Sequence, residues 1–184
     1  MRLVSGLLAL LLPLLVAAPL RAADDIEVRS ASATLRGTVL EVTVRAEYPA
    51  DDELRTALEA GATIDLGMLV SIEKTSQYWF NETVLEQSLR RELSWNAPSQ
   101  RYVLKAINGN EQQTFATFEE AMVAAGIVEN WQVQLDQQLD PKGTYQVGVR
   151  ARLRRGRLPS ALRALTFWTR YWNRSEWYTW ALPR

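Results

Sequence analysis

Alternation of apolar and polar positions with a period of two runs through much of the chain. In "TVLEVTVRAEY", Leu40, Val42, Val44 and Ala46 fall on one face while Glu41, Thr43 and Arg45 fall on the other. That is the pattern of a strand with one buried face. "IEVRSASATL" precedes it, and Arg36-Gly37 predicts the turn that joins the two into a hairpin. "ATIDLGMLVSIEK" predicts a long strand, with Ile64, Leu66, Met68, Val70 and Ile72 on one face. "TVLEQSLRRELSW" fits two periods. Leu85, Leu89 and Leu93 have helical spacing, yet Leu85, Gln87, Leu89, Arg91, Leu93 and Trp95 share one face of a strand. The β-runs on either side favour the strand. "RYVLKAI", Asn108-Gly109 and "EQQTFAT" predict a second hairpin. "WQVQLDQQL", the turn Asp140-Pro141-Lys142-Gly143 and "TYQVGVRARL" predict a third.

Three segments depart from this period. Asp51-Asp52-Glu53 opens "DELRTALEA" as a short helix, with acids at its positive end and Gly61 as its stop. Thr117-Phe118-Glu119-Glu120 is a capping box, so "FEEAMVAAG" is expected to be a helix ending near Gly126. "LPSALRALTFW" is expected to be a third short helix, before "RSEWYTWAL" as a last strand. Strands joined by hairpins, with two or three short helices, predict a mainly β chain. Its expected form is an antiparallel β-sandwich of immunoglobulin-like architecture. A partly closed barrel is the alternative.

The N-terminus sets an expected compartment. Met1-Arg2 is followed by eighteen uncharged residues, Leu3 to Leu20, and then by "RAADD". A basic start, an apolar run and small residues before a polar stretch describe a secretory signal peptide. Cleavage after Ala22 suits it best, leaving residues 23–184 as a single domain. The competing reading is an uncleaved inner-membrane anchor, because eighteen apolar residues lie at the lower limit for a span. Pro13 and Pro19 interrupt the run and favour cleavage, so a periplasmic location is expected.

Composition narrows the chemistry. The chain has no cysteine and no histidine. Neither a disulfide framework nor a lipid attached at a signal-junction cysteine is available, so the 47% of apolar residues must supply the stability. Cysteine nucleophiles, His-assisted serine catalysis and the usual zinc, copper or haem ligand sets are excluded. No phosphate-binding glycine loop occurs. Carboxylate chemistry such as glycoside cleavage remains. Its candidates Asp51, Asp52, Asp136 and Asp140 read better as a helix start and turn residues. No catalytic residue, metal site or cofactor is assigned, and a non-enzymatic role is expected.

Charge is balanced overall but unevenly placed. Residues 24–149 carry 20 acids against 10 bases, whereas residues 150–184 carry nine arginines against one acid, Glu176. On a strand, Arg150, Arg152 and Arg154 share one face and Val149, Ala151 and Leu153 the other. The plain reading is a solvated outer face; the functional one is an anionic ligand site for a lipid headgroup or acidic glycan. Downstream, Arg163, Phe167, Trp168, Arg170 and Trp172 add arginine beside aromatic side chains. With Arg152 and Arg154 they form the candidate binding surface. In "RSEWYTWAL" both strand faces are apolar, which predicts a last strand covered on both sides, with Trp177 and Trp180 closing the core. The compartment disfavours nucleic acid.

The chain also resembles a family of secreted proteobacterial proteins, domain-of-unknown-function family 4390. The resemblance rests on "ELRTALEAGATIDL", "SQYWF", "SQRYVLK", "FATFEEAM", "GTYQVGVRARL", "LPSALR" and the W-x-x-S-x-W-x-x-W pattern that begins at Trp172. It implies an envelope location and a single β-rich domain, and it carries over no catalytic residue. The expected role is an accessory or protein-interaction module serving an envelope protein. A peripheral protein on an anionic membrane surface is the alternative, and a carboxylate hydrolase comes third.

Overall fold

The structure is a computed structural model that describes residues 25–76, 80–107, 109–160 and 173–183. Strands β1 (Glu27–Arg36) and β2 (Val39–Glu47) form the first predicted hairpin, closed at Gly37, whose φ is 65°. β3 (Thr63–Lys74) and β4 (Glu82–Asn96) pair along most of their length, from Thr63 opposite Ser94 to Lys74 opposite Glu82. "TVLEQSLRRELSW" is therefore a strand, and Leu93 near its C-terminal end is fully buried. β5 (Arg101–Ala106) and β6 (Gln112–Phe115) form the second hairpin.

Two sheets result. β1, β2 and β7 (Ile127–Gln134) make the smaller. The larger runs in the order β10 (Tyr178–Ala181), β8 (Tyr145–Arg155), β3, β4, β5, β6, with the short β9 (Asn173–Arg174) also pairing β8. All the pairings are antiparallel. The sheets do not close on each other, so the architecture is that of a β-sandwich and the barrel alternative falls away.

Helices α1 (Asp52–Glu59) and α2 (Phe118–Gly126) begin as their caps predict. Asp51 accepts a hydrogen bond from the Leu54 amide at 2.8 Å, and Thr117 with Glu120 forms the full capping box. Residues 161–168 of the predicted third helix, which spans 158–168, lie outside the described residues. So do residues 1–22, the expected signal peptide. Among the described residues no helix is long and apolar enough to cross a membrane.

The core lies between the sheets. Leu40, Val42 and Val44 of β2 face Ile64, Leu66, Met68, Val70 and Ile72 of β3 and Val147, Val149, Ala151 and Leu153 of β8, and all are buried. Each aliphatic side chain removed from water contributes about 1.5–3 kcal/mol, which lets a domain without disulfides hold together. Phe118, Tyr102 and Trp95 extend the core below α2, their rings stacking at tilted angles with centroids 4.7 and 5.7 Å apart.

Two expectations need correction. The predicted third hairpin does not form. β7 pairs with β2 in the smaller sheet, Leu40 opposite Val133, while β8 pairs with β3 in the larger, Leu66 opposite Leu153. The turn at Asp140 exists, with the Gly143 amide donating to the Asp140 carbonyl at 2.9 Å. It sits in a connection that carries the chain from one sheet to the other. Alternation shows which face is buried, not which strand lies alongside. The last strand is likewise not covered on both sides. β10 is the edge of the larger sheet, and Tyr178 is 39% exposed. Trp180 packs half-buried against the core, whereas Trp177 lies on the opposite face.

Candidate anion-binding site

Antiparallel register lines up side chains in rows across a sheet, and directly opposed residues share a face. On the outer face of the larger sheet, Gly67 of β3 stands between Arg90 of β4 and Arg152 of β8. Arg152 in turn stands opposite Arg174 of β9. One row thus reads Arg90, Gly67, Arg152, Arg174. The row on one side reads Glu92, Asp65, Arg154, and that on the other Ser88, Leu69, Arg150.

The missing side chain at Gly67 leaves a depression of about 250 Å³, lined by Asp65, Ser88, Arg90, Arg152 and Arg154. A Cβ at position 67 would lie 3.3 Å from the Leu89 carbonyl oxygen, so only glycine sits there without displacing its neighbour. The floor is pinned from beneath. Tyr48 sends its hydroxyl across from the interior to donate to the Gly67 carbonyl at 3.0 Å. Burial pushes the Tyr48 phenol well above its ordinary range, so it stays a neutral donor. One wall is also fixed, because Arg90 Nη2 lies 2.8 Å from Asp65 Oδ2.

The other arginines are not neutralised in this way. Among the described residues the ion pairs involve Arg29, Arg36, Arg55, Lys74 and Arg90. Arg150, Arg152, Arg154 and Arg174 form no ion pair among the described residues, although the charges of Glu176 and Glu86 reach Arg150. Arg150 instead lays its guanidinium over the Trp177 ring, 4.4 Å from the centroid. Gly148 makes this possible, since a Cβ there would approach the indole to 3.1 Å. The Arg150 Nε is buried and finds no hydrogen-bond partner among the described residues. Burial first, then the charges of Arg174 and Arg152, pushes the Arg150 pKa below its ordinary value. The backbone between β9 and β10 is held by buried Ser175, whose amide donates to the Ala151 carbonyl and whose hydroxyl accepts from the Ala151 amide.

Of the candidate surface, Arg152 and Arg154 therefore come together at one depression. Arg163, Phe167, Trp168, Arg170 and Trp172 lie outside the described residues. Sequence reasoning missed Arg90, Gly67 and Arg174, because cross-strand register brings them to Arg152. The acidic candidates are dispersed. Asp51 caps α1, Asp52 pairs with Arg55, Asp136 is exposed, and Asp140 organises its own turn. Among the described residues no group of three or more acidic side chains is placed to hold a metal ion.

A family model described as a domain of unknown function, DUF4390, matches residues 23–181. The chain belongs to the DUF4390 family. No curated protein and no solved structure matches it. The DUF4390 match spans both sheets and both helices, and so includes the arginine row and Tyr48, which follows β2.

Proposed function

We propose that this protein is a non-enzymatic binding module of the cell envelope whose working surface is the arginine face of the larger sheet, and whose partner is anionic. One observation carries this reading: Arg90, Arg152 and Arg174 are aligned in a single row over an absent side chain. Like charges opposed across a sheet are destabilising. Only Arg90 has a carboxylate partner, Asp65, and a surface that keeps Arg152 and Arg174 opposed with no ion pair among the described residues is suited to an anion supplied from outside. The signal-peptide pattern at the N-terminus supports the envelope location, and the family match begins at residue 23, directly after the expected cleavage point. A chain without histidine or cysteine, whose candidate acids Asp51, Asp52, Asp136 and Asp140 are dispersed, supports a role in binding rather than catalysis.

The test is comparative affinity capture from envelope extracts with the wild-type mature chain and an Arg152→Gln/Arg154→Gln variant. A component retained by the wild type, released by salt and lost by the variant is the expected result. Equal capture by both proteins would remove this face from the reading.

A further inference from the structure

Resting on that reading, we infer that the depression over Gly67 is a subsite for a phosphate monoester, held by the Arg152 and Arg154 guanidinium groups against the fixed wall of Arg90 and Asp65. The charge around the depression selects the ligand class. Arg90 and Asp65 pair at 2.8 Å, while Arg152 and Arg154, although Asp65 stands opposite Arg154, form no ion pair among the described residues. A carboxylate would neutralise one of these two. A phosphate monoester carries close to two negative charges at neutral pH and has three acceptor oxygens, so it matches both. Guanidinium presents paired N–H donors in a planar fork, which fits phosphate oxygens better than an ammonium group would.

Geometry supports the same assignment. The cavity of about 250 Å³ has room for a phosphate and the first atoms of its ester. Its floor is a backbone segment clamped by the Tyr48 hydroxyl, and Ser88 stands on its wall as a further hydroxyl donor. Glu92 lies in the adjoining row, where Thr63 donates to its carboxylate at 3.2 Å. The indole of Trp177 backs the guanidinium of Arg150 in the next row, which keeps a further cation beside the subsite. A site of this kind binds by positioned donors rather than by a diffuse positive field, and that difference is measurable.

The experiment titrates the mature chain with inorganic phosphate, glycerol 3-phosphate, dimethyl phosphate and acetate at constant ionic strength, following backbone amide resonances. Phosphate and glycerol 3-phosphate are expected to shift Gly67, Ser88 and Arg152. Dimethyl phosphate, a monoanion, and acetate are expected to bind at least about tenfold more weakly, in keeping with loss of a charge-assisted hydrogen bond. Arg152→Gln should weaken phosphate binding roughly 10- to 100-fold, with Arg154→Gln acting in the same direction. Thermal melts of both variants establish that they fold. Acetate binding as well as phosphate, or phosphate binding unchanged in both folded variants, would overturn the subsite. Vesicles separate the sources of the ester. Binding to phosphatidic acid in phosphatidylcholine that is lost in Arg152→Gln assigns the phosphate to a lipid. Phosphate binding without vesicle binding assigns it to a soluble ester, and either upholds the site. Binding to phosphatidylglycerol vesicles with no response to free phosphate would sink the subsite and leave the broader anionic-surface reading standing.

Discussion

The two faces of β8 are built from alternate residues of one strand and do opposite work. Inward, Val147, Val149, Ala151 and Leu153 are fully buried between the sheets. Outward, Gly148, Arg150, Arg152 and Arg154 alternate with them, next to the Asp65, Gly67 and Leu69 positions of β3. The inner face lowers the free energy of the fold by removing apolar surface from water. The outer face stores repulsion, because Arg152 and Arg174 oppose each other and Arg150 lies two residues away. Arginine itself is not the difference. Arg91, one residue along β4 from Arg90, points inward and donates through Nη1 to the carbonyls of Ala124 and Ile127, at 3.3 and 2.9 Å. There it satisfies the C-terminal end of α2, where a cation is favoured. The same side chain is structural on one face of the sheet and available on the other, and what decides is whether acceptors of its own chain surround it.

This contrast can be broken experimentally, most severely at the inner face. Leu66→Ala, on β3 between Arg91 and Leu153, should destabilise the protein by about 2–5 kcal/mol, as cavity formation in a packed core does. Denaturant unfolding would read the loss, and a change below about 1 kcal/mol would show that the core is not packed as described. Next comes Arg91→Met, which keeps the stem and removes the donors to α2. Removing the charged donor from these carbonyls, of which Ala124 keeps the Ile127 amide, should cost about 1–3 kcal/mol, with α2 amides losing hydrogen-exchange protection first. Ser175→Ala sharpens the comparison at the sheet edge. It removes the hydroxyl that accepts from the buried Ala151 amide and should cost about 1 kcal/mol in a melt, with β9 loosened from β8. The smallest effect belongs to the outer face. Arg152→Gln should alter stability by no more than about 0.5 kcal/mol, and in the stabilising direction, since a repulsion is relieved and no ion pair is lost. A marked destabilisation there would make Arg152 a structural residue like Arg91.

How far these features were legible in the sequence varies with the distance over which each is decided. The two helix starts were readable because capping is local: Asp51 reaches Leu54, and Thr117 reaches Glu120, within three residues. The strand nature of residues 82–96 was readable from a period of two, even against a competing leucine spacing. Arg150, Arg152 and Arg154 were readable as a stripe for the same reason. The third hairpin was not, because a good turn at Asp140 says nothing about whether the strands on either side lie in the same sheet. The aromatic end of the chain was misread as an interior strand because apolar side chains on both faces also suit an edge strand. There Trp180 packs on the core and Trp177 under an arginine.

The sequence by itself therefore determined the alternating faces, the helix caps, the absence of histidine and cysteine chemistry, and the concentration of arginine in the last 35 residues. These depend on residue type and on neighbours a few positions away. The tertiary structure alone decided that Gly67 stands between Arg90 and Arg152, that Arg174 completes their row, and that Tyr48 reaches through the core to hold the glycine carbonyl. Those residues are brought together by backbone hydrogen bonds between strands far apart along the chain. The register of such bonds is set by how the whole apolar surface packs, and no local run of residues encodes it.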